Sequence, residues 1–122
     1  MFLPFLTDIA VTLFTFGLVL HLVCDWLLQN AWMSDNKSNL LHPAAWVHSG
    51  IHLVGLLLIF PWWAALAIAG VHLLIDTRVP LLWWSRIFRQ TQEGAAVIPL
   101  KFWCDQTAHI LVLALAALIV GR

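Results

Sequence analysis

Eight residues of this 122-residue chain have types and spacing that could do chemistry: His21 and Asp25, His48 and His52, His72 and Asp76, and Asp105 and His109. The members of every pair stand four positions apart. In a helix that spacing stacks two side chains on one face, about 6 Å apart along the axis at about 1.5 Å per residue. Imidazole nitrogen and carboxylate oxygen are donors for zinc, iron, manganese or nickel, and the lack of clustered thiolates argues against an iron–sulfur or soft copper centre. Eight candidates exceed the needs of one tetrahedral ion. Either two ions bind, or some members orient ligands and move protons.

Each pair falls in its own apolar stretch. The four stretches run from about Phe5 to Asn30, His42 to Phe60, Trp63 to Trp84 and Leu100 to Val120. Each has the roughly 20 residues a helix needs to cross hydrocarbon. No polar–apolar alternation is sustained long enough to predict strands. Hydrophobic residues make up 62% of the chain and charged residues 10%, with a mean hydropathy of +0.92. A chain this short cannot hide so much apolar surface in a soluble core, whereas a bilayer removes the need to. The predicted fold is therefore all-α, an integral membrane four-helix bundle forming a single domain over residues 1–122. The first stretch lacks a basic start and carries His21 and Asp25, so it is expected to be a retained helix and not a signal peptide. Cys24 and Cys104 lie in apolar runs and read as packing residues, not a disulfide.

Charge sets the orientation. With four crossings, the loops Ala31 to Leu41 and Ser85 to Pro99 share one side with Lys37, Arg78, Arg86, Arg89 and Lys101, while the other side has only Arg122. The positive-inside rule then puts those loops of a multi-pass membrane protein in the cytoplasm, with both termini outside. Trp32, Trp46, Trp83, Trp84 and Trp103 fall near the basic end, and Trp62 and Trp63 mark the opposite interface. Pro80 is expected to kink the third helix near its end. The formal net charge of zero gives no reason to expect a nucleic-acid partner.

Depth follows from the same topology. The pairs sit late in helices one and three and early in helices two and four, so all four lie in the cytoplasmic half. Asp25, His48, Asp76 and Asp105 are expected to form an outer ring, with His21, His52, His72 and His109 one turn deeper. Three aspartates at roughly 3 kcal/mol each would cost about 9 kcal/mol in a membrane. That rivals the roughly 5 to 15 kcal/mol stability of a whole domain. Metal coordination, internal water or imidazole–carboxylate hydrogen bonds must offset it. Among the remaining polar residues, Gln29 lies one turn beyond Asp25. Asn36, Lys37, Arg78 and Lys101 stand close enough to the interface to meet an anionic head group, although snorkelling and topology also account for them. His42 reads as an interfacial loop residue, and Asp8 as facing head groups.

The stretches HLVCDWLLQNAWMSDNKS, HSGIH, HLLID and DQTAH resemble the bacterial and phage membrane-protein family catalogued as domain of unknown function 3307. The resemblance covers nearly the whole chain. It implies a compact all-helical inner-membrane protein with His21, Asp25, Gln29, Asn36, Lys37, His48, His52, His72, Asp76, Asp105, Gln106 and His109 as characteristic positions, and no assigned activity. The spaced His and Asp on membrane helices are also faintly similar to membrane-bound metal-dependent hydrolases.

The leading functional expectation is a metal-dependent hydrolase acting on a lipid or lipid-linked ester or phosphoester at the cytoplasmic face. Asp25, His48, Asp76 and Asp105 are placed to meet substrate, and the deeper histidines to act as ligands. Three alternatives use the same residues. A proton or metal-ion transporter needs polar access from the outer side, where helices one and four offer little beyond Thr12 and Thr15. A histidine-rich membrane oxygenase would want more than the single His-x-x-x-His pair, His48 and His52. A non-catalytic assembly module would use the cluster to specify packing.

Overall fold

The computed structural model describes residues 6–122, and among them it is wholly helical. Six α-helices follow in order: α1 (Asp8–Leu22), α2 (Ala31–Asn36), α3 (Pro43–Leu56), α4 (Trp62–Asp76), α5 (Val79–Ile87) and α6 (Val97–Val120). The expected start of the first segment at Phe5 lies outside the described residues. Its end is Leu27, not Asn30, because α1 runs directly into one π-helical turn, Val23–Leu27.

Local chemistry explains most boundaries. Thr7 caps α1 by accepting from the Ala10 amide at 3.0 Å, and its hydroxyl donates to the Gly121 carbonyl, tying the first helix to the end of the last. The connection expected to be a loop over Ala31 to Leu41 instead contains α2, capped by the Asn30 side chain on the Met33 amide. His42 is the N-cap of α3, its ring Nδ1 accepting from the Ala44 amide at 3.1 Å, and Pro43 occupies the first turn, where an amide hydrogen has no partner to lose. After Leu56, hydrogen-bonded turns carry the helical path on to Phe60.

The largest departure from the sequence reading is in the third segment. Trp63 to Trp84 is not one kinked helix. It is α4 followed by α5, bent by 65° at Thr77 and Arg78. Pro80 explains the position of the break: a helix continuing through it would require an amide hydrogen for the Asp76 carbonyl, which proline lacks, and its ring would crowd that oxygen. The chain escapes by placing Arg78 in the left-handed region (φ 66°), after which Pro80 fits in the first turn of α5. The polar connection from Ser85 to Pro99 is shorter than expected, since α5 runs to Ile87 and α6 begins at Val97.

Helices α1, α3, α4 and α6 pack in a closed order, each touching two of the others, with α1 against α3 and α6 and α4 against the same two. One end of this ring is an apolar core of Leu56, Phe60, Ala64, Ala65, Ile68, Ala69, Leu113 and Ala117. Small residues allow the close approach. A Cβ at Gly121 would lie 2.6 Å from the Ala10 backbone nitrogen, and one at Gly17 would lie 3.2 Å from the Phe60 ring. The other end is polar inside.

Burial is inverted relative to a soluble protein. Nine polar residues are buried among the described ones, while large apolar side chains such as Leu41, Leu58 and Ile98 are almost fully exposed. Two stretches, Asp8–Leu27 and Val97–Val120, are long and apolar enough to cross a membrane, and α4 with α5 makes a third if counted as one broken span.

Candidate metal centre

The four packed helices each deliver one of the spaced pairs to the polar end. α1 and its π-turn supply His21 and Asp25, α3 supplies His48 and His52, α4 supplies His72 and Asp76, and α6 supplies Asp105 and His109. All are buried except Asp105, whose side chain keeps 24% of its exposure. The wide π-turn buries the adjacent Cys24 and Asp25 together, a feature that nothing in the local sequence announces.

Two carboxylates organise the cluster. Asp25 Oδ1 lies 3.0 Å from His52 Nε2 and 3.2 Å from His48 Nε2, and its Oδ2 lies 3.4 Å from His21 Nε2. Asp76 Oδ2 lies 3.0 Å from His72 Nε2 and 3.4 Å from His48 Nε2. Its Oδ1 lies 3.3 Å from His109 Nε2 and 3.4 Å from Lys37 Nζ. His48 thus stands between the two carboxylates, while Asp105 approaches His109 at 3.7 Å. The other four imidazoles close a ring, with centroids 5.5 Å apart for His21–His52, 3.8 Å for His52–His72, 4.3 Å for His72–His109 and 5.0 Å for His109–His21.

Hydrogen bonding separates these residues into two kinds. Gln106, which the spacing argument passed over, reaches Asp25 Oδ2 and Asp105 Oδ2 through its amide nitrogen at 3.4 and 3.2 Å, and His21 Nε2 through its oxygen at 3.1 Å. Because a carboxylate only accepts, the amide nitrogen must face the aspartates, so His21 donates from Nε2 to the amide oxygen. His52 likewise donates to Asp25. In contrast, both ring nitrogens of His48, Nε2 of His72 and His109 and Oδ1 of Asp76 are buried without a hydrogen bond; the Nε2 atoms and Oδ1 have near partners in distance, but without the angle a hydrogen bond requires. Buried polar atoms left so are costly and rare, and a cation is one of the few things that satisfies several at once.

The donor atoms form three compact groups, with members within 4.8 Å of one another: Asp25, His48, His52 and His72; His21, His72 and His109; and Asp76, Asp105 and His109. No single group contains every residue with an orphaned atom, so the cluster as arranged offers more than one position. The mixed nitrogen and oxygen donors are compatible with a metal ion. Two ligands of one tetrahedral ion stand about 3.3 Å apart when each bond is about 2.0–2.1 Å, which is the spacing of Asp76 Oδ1 from His109 Nε2.

A family model described as protein of unknown function, DUF3307, matches residues 13–122. The chain belongs to that family. The match spans every member of the cluster. No curated protein and no solved structure matches the chain. The chemistry of this DUF3307 chain must therefore be argued from its own residues.

Above the cluster opens a cavity of about 640 Å³. Asp25, Asp76, Asp105 and Gln106 lie at its floor, next to the buried imidazoles, and Lys37, Arg78 and Lys101 line it as well. Gln29 is also on this wall, with its Oε1 buried and unpartnered, whereas Asn36 turns back to donate to the Trp32 carbonyl. Below the imidazole ring lies a void of about 10 Å³, lined by the ring histidines with Gly17, Leu20, Leu56, Ile68, Val112 and Leu113. Cys24 and Cys104 are free thiols, the second on the cavity wall.

Proposed function

We propose that the chain is a four-pass inner-membrane metalloprotein that hydrolyses a lipid or lipid-linked ester or phosphoester at the cytoplasmic face. The observation that carries this reading is the group of Asp76, Asp105 and His109. It holds two orphaned donor atoms 3.3 Å apart, and its carboxylates border the cavity. Three protein donors with an open side is the pattern of a catalytic metal site. The group of Asp25, His48, His52 and His72 is fully buried and suits a second ion or a supporting network. Zinc, iron and manganese all accept such donors.

When bound, a divalent metal acidifies water and polarises the scissile group. The protein's own part is to hold the substrate over the floor of the cavity and to move protons. Water oxygen forms a bond to the phosphorus or carbonyl carbon as the bond to the leaving oxygen breaks. Asp25, the cavity-lining carboxylate outside the group of Asp76, Asp105 and His109, accepts a proton from the water, and the leaving oxygen takes one up, so only water is consumed. His21 and Gln106 position Asp25 and Asp105 through their hydrogen bonds.

The apolar exterior of all four packed helices supports a membrane setting for each of them, with the helical path of α3 extended to Phe60 to add length. Lys37, Arg78 and Lys101 share one cavity, and Arg86 and Arg89 follow on the same connection, which supports a cytoplasmic position for that end and both termini outside. The apolar side chains that surround the void of only about 10 Å³ beneath the histidines favour hydrolysis over transport.

The test is metal quantification and hydrolysis by protein purified in detergent without chelator and supplied with zinc, iron or manganese. Stoichiometric metal and chelator-sensitive turnover are expected. Absence of bound metal after all three supplies would remove the mechanism and leave a structural polar network.

A further inference from the structure

Arg78 and Lys101 read, in the sequence, either as charges that set topology or snorkel or as groups near enough to the interface to meet an anionic head group. Their placement favours the second. Both line the 640 Å³ cavity with Lys37, above the three aspartates of its floor. Lys37 is held 3.4 Å from Asp76. Neither Arg78 nor Lys101 forms an ion pair among the described residues, so two cations face the cavity without a protein anion to neutralise them.

Backbone strain points to the same wall. Arg78 adopts φ 66° between α4 and α5, a left-handed conformation unfavourable for a non-glycine residue. The break that forces it falls two residues after Asp76, so the turn that ends the metal-bearing helix also sets Arg78 on the cavity wall. Strain of this kind persists where the surroundings over-determine it, commonly at ligand clamps. The remaining lining is mixed: Trp26 from the π-turn, Leu81 and Leu82 from α5, and Ile98, Leu100 and Phe102 from α6 are apolar, whereas Gln29, Ser34, Ser85, Gln90, Thr91 and Gln92 are polar. A cavity with three cations on one part of its wall and an apolar slot on another fits an anion with a hydrocarbon tail. A neutral carboxylic ester offers those cations only an uncharged carbonyl acceptor, whereas a phosphoester brings negative charge and several accepting oxygens that an arginine fork and two ammonium groups match.

We propose that Lys37, Arg78 and Lys101 form a receptor for the phosphate group of an amphiphilic substrate, whose tail lies along Leu81, Leu82 and Phe102. The inference rests on the hydrolase reading for what happens to that substrate, but binding is tested separately from turnover. The phosphate could be a lipid head group or free phosphate, and the apolar slot assigns the lipid.

The experiment measures equilibrium binding of dihexanoyl phosphatidic acid, dihexanoylglycerol and inorganic phosphate to the detergent-purified protein, its K101Q and R78N variants, and H109A as a metal-site variant. Asparagine tolerates the left-handed region, so R78N removes the charge without adding strain. Phosphatidic acid is expected to bind at least about tenfold more tightly than either other probe, and K101Q and R78N should each weaken it about tenfold, since a hydrogen bond to a charged group is worth about 1.5–3 kcal/mol. Binding of dihexanoylglycerol should not change in either variant. H109A should lose metal yet keep the dependence on Arg78 and Lys101. Equal binding of dihexanoylglycerol, or unchanged affinity in both charge variants, would overturn the receptor while leaving an ester hydrolase standing. Equal binding of inorganic phosphate would overturn the amphiphile. Phosphatidic acid bound in an Arg78-dependent way by protein that takes up no metal would support the receptor and sink the hydrolase.

Discussion

The two ends of the packed helices are built on the same faces and do opposite things. On α4 the buried face runs Ala65, Ala69, His72, Asp76, and on α6 it runs Gln106, His109, Leu113, Ala117. One end of each face closes by shape: glycine and alanine let helices approach until a single added carbon would meet backbone, as at Gly121 against Ala10. The other end closes by pairing imidazole with carboxylate, and leaves several donor atoms unsatisfied. The contrast teaches that one end supplies the rigidity with which the other can hold poorly satisfied polar atoms in place. On the proposed membrane reading neither end could be exchanged for the other, because lipid outside the helices would already offer what a larger apolar core does, and only packing or a bound ligand would add more.

Breaking the polar end should have the largest effect. Asp76→Ala removes the carboxylate shared by His48, His72, His109 and Lys37 and leaves the lysine ammonium without its partner. A destabilisation of about 3–5 kcal/mol is expected, together with loss of metal. Thermal unfolding in detergent and metal analysis measure both, and full metal content in this variant would show that Asp76 is not the organising ligand.

Breaking the apolar end should cost less and leave the chemistry alone. Leu113→Ala opens a cavity in the core beneath the histidines. About 2 kcal/mol is expected, at the low end for a buried leucine. Metal content should stay at the wild-type level in the same preparation. A variant that lost metal but little stability would mean that the two ends are not separable.

A smaller change sharpens the comparison within the polar end. Gln106→Ala deletes the amide that links His21, Asp25 and Asp105 without touching an orphaned donor. Stability should fall by about 1 kcal/mol. Metal should be retained and hydrolysis should drop. Loss of metal equal to that of Asp76→Ala would place Gln106 among the groups that hold the ion.

Much of the site was legible because helix geometry is local. A spacing of four puts two side chains on one face wherever the helix goes, so the pairing of His21 with Asp25 or Asp105 with His109 needs no tertiary knowledge. The π-turn was not legible, since Val23–Leu27 has no proline or glycine to mark it. Pro80 did signal a disturbance in the third segment. Its effect was understated, because a kink and a complete break differ only in whether the surrounding structure can hold Arg78 at positive φ. Gln106 was visible only through the family resemblance, as one amide beside a more conspicuous aspartate.

The sequence by itself determined the helical class, the apolar character of the surface and the four faces that carry histidine and aspartate, because hydropathy and a period of about 3.6 residues act within each segment. Only the tertiary structure decided which atoms meet. It made Asp25 and Asp76 the two hubs, engaged His21 and His52 in hydrogen bonds, left His48, His72 and His109 with open nitrogens, and brought Lys37, Arg78 and Lys101 to one cavity. Those outcomes depend on how far each helix is rotated and how closely it approaches its neighbours. Contacts between residues remote in the chain, such as Gly121 with Ala10 and Gly17 with Phe60, decide both, and no local pattern records them.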